Sequence, residues 1–508
     1  MTKFKIVSSL GKASNMRTVH ILTFFGNSAL AAFWFVFLFA SQNDHIMIIV
    51  LAHLGMSSLL FFPVFCRLKV SAFDPLNLFL LYVIIGGIAP AYYMVFDPTS
   101  RISYLMANRP LEDFVDVSFL YIASLFLVGL GYSACKQRIN VGRLLPREDL
   151  LSPRGFQFAL VAGISISLLG VLAYISSTGG IAASISDISR KRSIEIISNG
   201  EVVHATGGYM RMAADISFVL LLVTMSYYVK NSAKLPTYIS LQLWVLGALS
   251  LAVPFISSSR SAVIFVAFGI MISLHARNRL SARVILVCAI LAVCSFGAMS
   301  ALRAASQKSG ESAFENPFKA LAESGNGLSI FGTTHIVKGV PDRMRYQLGT
   351  TYFYWITAPI PRTFWPGKPD IALGKRVKDE ILQLPVIRSG RPPSFMGEGW
   401  MNFGLVGFML NSFALGYMMR LIPNSLLPAM RYSSFAVPIY FTTALNVSAL
   451  ANSAISQGIV RIATDLALLL VVYILIQHSF SKRRVLNINS RREFNAPELT
   501  IRPRISLR

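Results

Sequence analysis

Eight side chains have types and placements suited to chemistry on a phosphorylated sugar. Arg260 follows Ser257, Ser258 and Ser259 at the tip of a tight turn between two apolar runs. A span mouth there holds its guanidinium at lipid-headgroup depth, where a planar fork donates two hydrogen bonds to one phosphate. The alternative is a snorkelling arginine that anchors the turn. Arg303 stands at the end of another apolar run and carries the same two readings. Arg192 belongs to the triplet Arg190, Lys191 and Arg192, either a solvated charge run or part of an anion site. The segment PRTFWPGKP, residues 361–369, sets Arg362 and Lys368 beside Phe364 and Trp365. Flat rings there can stack on sugar faces while cations take phosphate; a proline-rich corner packed on the membrane fits equally well. Glu398, in FMGEGWMNFG, could take the proton of an attacking hydroxyl or stabilise a helix start. His335, in GTTHIVKG, is the second candidate base, against a purely structural histidine.

The elements that must position these residues are membrane helices. Of 508 residues, 54% are hydrophobic and 14% charged, with mean hydropathy +0.57; soluble domains average about 25% charged. Apolar runs of about 20 residues recur along the chain, the length a helix needs to cross a bilayer. Twelve spans are expected near 19–41, 46–66, 75–96, 114–134, 156–176, 212–229, 237–256, 261–276, 284–302, 402–421, 433–453 and 462–478. The eighth is short for a full crossing. A net charge of +24 could point to nucleic acid, but in such a chain it fits cytoplasmic Lys and Arg together with anionic lipid or substrate.

Orientation follows from the basic residues. Lys3, Lys5, Lys12 and Arg17, then Arg67 and Lys69, the 136–154 cluster, Lys230 and Lys234, Arg277 to Arg283, Arg420 and Arg431, and the tail all fall on one side if the chain crosses twelve times. That side is the cytoplasm, with both termini inside and an uncleaved first span. The expected fold is an all-α polytopic membrane protein: one transmembrane domain over 1–508, external loops at 177–211 and 303–401, and a basic tail at 479–508. Nearly half of the 47 lysines and arginines then lie outside, which asks for either long-loop tolerance or a basic cavity. Residues 352–360 are apolar and aromatic but too short to cross, so they are expected at the interface. Residues 374–384 place Val377, Ile381 and Leu384 opposite Lys375, Lys378 and Asp379, an amphipathic surface helix. Arg461 and Asp465, like Arg211 and Asp215, are four apart and are expected to pair structurally, although either arginine could face the cavity.

Cys66, Cys135, Cys288 and Cys294 lie in or beside apolar runs, with no CxxC and no His/Cys cluster, so neither a structural disulfide nor a metal centre is expected. GxxxxGK[ST], HExxH and GxSxG are missing, which leaves nucleotide-driven chemistry unsupported. No cofactor is expected.

The combination of SSSR at a span mouth, a long external loop with PRTFWPGKP, and SFMGEGWMNFGLVG leading into the next span resembles the Wzy-type repeat-unit polymerases of bacterial O-antigen and related polysaccharides. The motifs occupy residues 349–407 and the Arg260 turn; the resemblance in topology covers the whole chain. It implies a metal-independent glycosyltransferase of the inner membrane, active at the periplasmic face. Donor and acceptor would be undecaprenyl-pyrophosphate-linked oligosaccharides, with a chain-length regulator as a possible partner. Arg260, Arg362 and Arg192 would bind pyrophosphate. Flippase and O-antigen ligase are the alternatives.

Overall fold

The computed structural model describes residues 16–494 except 42, 98–99, 101, 103–108, 147–152, 178–194, 199–200, 205–206, 232–236, 257–259, 278, 289, 291–321, 323–326, 361–363, 366 and 384–389. The helices are α1 (Arg17–Ser41), α2 (Ile46–Phe65), α3 (Pro75–Phe96), α4 (Leu111–Ala134), α5 (Pro153–Ser177), α6 (Gly207–Asn231), α7 (Thr237–Ile256), α8 (Arg260–His275), α9 (Ile330–Gly339), α10 (Ser394–Leu426), α11 (Ala436–Ser448) and α12 (Ile455–Phe494). A hairpin of β1 (Glu195–Ser198) and β2 (Glu201–His204) pairs Glu195 with His204 between α5 and α6. Among the described residues, nine helices are long and apolar enough to cross a membrane: α1 to α7, α10 and α12. The chain is therefore a polytopic helical membrane protein. Two expected spans are shorter helices, and a third falls largely on residues not described. α8 has 16 residues and α11 has 13, and most of 284–302 lies outside the described residues.

Two helical bundles share the interior. One core joins α2, α3, α4 and α10 through Ile49, Met56, Phe79, Tyr121, Leu125 and Phe408. The other joins α5, α6, α7 and α12 through Phe156, Leu220, Ile239 and Leu469. α11 lies between them, packing Tyr440, Phe441 and Leu445 with Leu78 of α3 and Leu222 of α6.

Two backbone irregularities shape one end, which we term the cap. In α3 a π turn at Ile84–Ile88 contains Gly86 and Gly87. The wide turn releases the Tyr82 carbonyl from the α pattern, and the Leu328 N–H donates to it at 2.9 Å. Tyr121 donates its hydroxyl to the Leu328 carbonyl at 3.2 Å. Gly86 touches the backbone of Gly327 and Leu328 so closely that no Cβ fits. The loop segment is thus inserted against two membrane helices.

The second irregularity is in α10. Phe403 (φ −136°) and Gly404 (φ +59°, ψ −140°) leave helical geometry, a combination open in practice to glycine. The chain reverses there. Gly399 meets Gly407 backbone to backbone, and Asn411 Nδ2 donates to the Phe395 carbonyl at 3.0 Å. Sixteen residues of straight helix would separate those groups by about 24 Å. Residues 394–402 are therefore a buried helical arm folded back along the start of the spanning segment.

Candidate functional site

Glu398 sits in that folded arm, 0% exposed. Its Oε1 accepts the Thr351 hydroxyl at 2.8 Å, and its Oε2 accepts the Ile455 N–H at 2.6 Å. Asn402 donates to Thr351 Oγ1 and to the Glu398 carbonyl, both at 2.8 Å, and accepts the Gly349 N–H at 2.9 Å. Ser456 donates to the Thr351 carbonyl at 2.6 Å. Tyr352 exchanges hydrogen bonds with Asn411, and burial pushes its phenol up to about 12. This knot binds three segments distant in sequence. A carboxylate at the first N–H of α12 lies at the positive end of that helix. The helix-start reading of Glu398 thus applies to α12 and not to its own helix. With both oxygens taken and no exposure, Glu398 is not placed to meet a sugar hydroxyl.

His335 is on α9, whose N-cap Ser329 accepts the Gly332 N–H at 3.0 Å. It is 7% exposed, with the edge of Phe114 against its ring. Its Nδ1 accepts the Arg109 Nε–H at 3.0 Å, which requires the neutral ring with its proton on Nε2. Arg109 also meets Asp113 at 3.1 Å, and Lys338 stands 3.0 Å from Asp113 and 2.9 Å from Asp116. Hydrogen bonds that the Lys338 ammonium donates to the Asp116 and Asp113 carboxylates push it up. The cluster fastens α9 to the first turns of α4, so His335 occupies a fastening position. Arg109 and Lys338 were not singled out by sequence. Their signal was the acidic start of α4, with Glu112, Asp113 and Asp116.

The aromatic stretch forms a 3-10 helix, Thr350–Thr357, with Phe353 62% and Ile356 56% exposed. This outward apolar face agrees with a surface-lying segment. Phe364 and Trp365 are also exposed. Lys368 does not project to a ligand there: its ammonium donates to the carbonyls of Ala358 at 2.9 Å and Ile360 at 2.8 Å, closing the loop. In 374–384 Val377 and Ile381 are buried as expected, but so is Lys378, because residues Val377–Leu382 form a π turn whose wider pitch departs from α spacing. Arg192, Arg303 and Arg362 lie outside the described residues. Arg260 opens α8, and its side chain lies outside them too.

A second polar region lies where the two bundles meet. Arg211 and Asp215 project from α6, Arg461 and Asp465 from α12, Thr442 and Asn446 from α11, and Tyr82 from α3. Arg211 Nε is 4.0 Å from Asp215 Oδ2, with the side chains 47% and 46% exposed. Asp465 Oδ2 accepts the Thr442 hydroxyl. The expected Arg461–Asp465 pair does not form: among the described residues Arg461 makes neither an ion pair nor a hydrogen bond. Arg461 and Asp215 both keep open surface while protein surrounds most of each. Groups from α3, α6, α11 and α12 thus share one partly exposed polar seam, which we term the cleft. Arg461 lies within electrostatic range of Arg211 on α6, Tyr82 on α3 and Asp465 one turn along its own helix. Six residues past the start of α12, Arg461 is about 9 Å into the bundle, and Asp465 about 15 Å.

Comparison of the chain with family models, curated proteins and solved structures finds no match. Candidate chemistry therefore rests on the geometry. The knot and the α9 fastening are internally satisfied; the inter-bundle cleft holds a cation whose charge no carboxylate within contact neutralises.

Proposed function

We propose that the chain is a membrane glycosyltransferase that joins undecaprenyl-pyrophosphate-linked repeat units into O-antigen or a related surface polysaccharide. On this reading it crosses the bacterial inner membrane twelve times, with the cap and the cleft mouth at the periplasmic face. The observation that carries the reading is Arg461, an arginine inside an apolar helix, open to a cleft and making neither an ion pair nor a hydrogen bond among the described residues. Intramembrane charge is costly and is retained where it meets a substrate or an aqueous path. Pyrophosphate is already a good leaving group, so the protein's task is to align two lipid-linked substrates and neutralise developing charge. Arg211 borders the same cleft; Arg260, Arg303, Arg362 and Arg192 are kept as phosphate-binding candidates on the sequence reading alone. The outward apolar face of 350–357, with Trp365, suits the lipid surface from which such substrates arrive.

A second reading, a flippase of the same lipid-linked units, draws on one observation. The cleft carries both signs of charge on two helices within the bundle, as a translocation path does. Deletion of the chain separates the two. A polymerase null strain attaches single repeat units to the final acceptor. A flippase null leaves the acceptor bare and holds lipid-linked units on the cytoplasmic leaflet; a ligase null leaves it bare while lipid-linked polymer accumulates. Long polysaccharide of normal length distribution in the null strain would exclude all three. Arg260→Ala should abolish polymer at unchanged protein level, and retained polymer would remove its assigned role.

A further inference from the structure

We propose that Asp465 is the group that takes the proton from the attacking sugar hydroxyl, an assignment that rests on the glycosyl-transfer reading of the cleft. Glu398 and His335, the bases suggested by sequence, are buried and held by protein partners. Asp465 differs in three respects. It borders an open cleft instead of a closed knot. Its carboxylate is oriented from a neighbouring helix, with Thr442 donating to Oδ2, and Asn446, one turn along α11, ties its Nδ2 to the Thr442 carbonyl at 2.9 Å. A base held by a second group is the usual arrangement for directed proton transfer. Finally, Arg461, which makes no ion pair at contact distance, stands one helical turn away.

That spacing suits a displacement. Residues four apart on one helix face have Cβ atoms about 5–6 Å apart. The attacking oxygen and the departing oxygen flank one anomeric carbon, so the groups that hold them stand roughly 6.5–9.5 Å apart, as in inverting hydrolysis, a span the long arginine side chain can reach from a Cβ one turn away. Asp465 and the longer Arg461 can bracket such a centre. Asp215 is the weaker candidate, because Arg211 is its close neighbour. The charged and titratable groups around Asp465 are Arg461 on its own helix, Arg211 and Asp215 on α6, and Tyr82 on α3; α11 contributes Thr442 and Asn446, which are neutral.

The step balances. The acceptor hydroxyl gives its proton to the Asp465 carboxylate, and its oxygen forms the new bond to the anomeric carbon. The bond from that carbon to the pyrophosphate oxygen breaks, and the electron pair leaves with polyprenyl pyrophosphate beside Arg461. The anomeric configuration inverts.

The test uses the full chain in proteoliposomes with purified undecaprenyl-pyrophosphate-linked repeat units. Asp465→Asn should lower kcat by about 100-fold or more, the range of general-base removal, with the KM for lipid-linked units and the melting temperature retained. The acid limb of the kcat–pH profile should vanish in its residual activity. Asp465→Glu should restore part of the rate, and Thr442→Val should lower kcat by a smaller factor at unchanged KM. Wild-type kcat in Asp465→Asn, or an unaltered acid limb, overturns the assignment while leaving the glycosyltransferase reading in place. Should the asparagine variant fail to fold, Asp465→Glu and Thr442→Val decide: wild-type kcat and pH profile in both overturn it. If the wild-type chain joins no lipid-linked units, both readings fall together.

Discussion

The Glu398 knot and the inter-bundle cleft are both polar regions embedded in apolar helices, and they solve opposite problems. In the knot every carboxylate oxygen has a donor, and the side chain is sealed from solvent. Burying a polar group costs little when its partners are built in. Such a site ties distant segments together and offers nothing to a ligand. In the cleft Asp465 has Thr442, but Arg461 makes no ion pair at contact distance among the described residues. A fold that needed only stability would have paired it or replaced it with an apolar side chain. The difference separates architecture from function: satisfied polar groups hold the cap, and the unsatisfied one marks where a charged substrate is expected.

Mutations can break this distinction, and the largest effect is expected in the cleft. Arg461→Ala should reduce polymer formation by on the order of 100-fold, the scale of losing one donor to developing negative charge, with the melting temperature of the detergent-purified protein unchanged. Arg461→Lys should recover only part, since an ammonium lacks the bidentate fork. A lower melting temperature with proportionate loss of polymer would place Arg461 among structural residues.

Glu398→Ala should show the reverse pattern. It strands the Ile455 N–H and the Thr351 hydroxyl, at a cost of about 3 kcal/mol. Thermal unfolding and protein level should both fall, while the folded fraction keeps wild-type turnover. Full stability with lost turnover would return Glu398 to the catalytic list.

Arg109→Ala should cost about 1–2 kcal/mol through the loss of the His335 contact. Limited proteolysis should then cut more readily between α9 and Thr350, with activity lost only as the cap loosens. Lys338→Ala should cost under about 1 kcal/mol, because its ion pairs are partly exposed, and the difference from wild type should shrink in high salt. An activity loss in Lys338→Ala out of proportion to stability would make α9 part of the substrate path.

The candidate residues show how far a single chain can be read. His335 and Glu398 stand out by residue type, yet sequence could not say whether they face solvent or protein. Lys368 illustrates the same gap: a lysine between prolines can hold phosphate or, as here, two carbonyls of its own loop. Arg461 and Asp465 looked like a helical pair because spacing alone brings them within reach. Thr442, 23 residues away, engages Asp465 instead, a competition between helices that no one-helix pattern contains.

The apolar periodicity by itself determined that this is a polytopic helical membrane protein, and it located seven of the nine long helices to within about five residues, since each must satisfy its backbone internally over the width of a bilayer; α10 and α12 begin seven to eight residues earlier than expected. Tertiary structure alone decided the reversal at Phe403–Gly404, the insertion of Leu328 against the π turn of α3, and the meeting of two bundles around Arg461. The reason is physical. Helix formation is a local matter of hydrogen bonds and hydrophobicity along ten to twenty residues, whereas a cleft is defined by which side chains from remote segments fail to cancel one another.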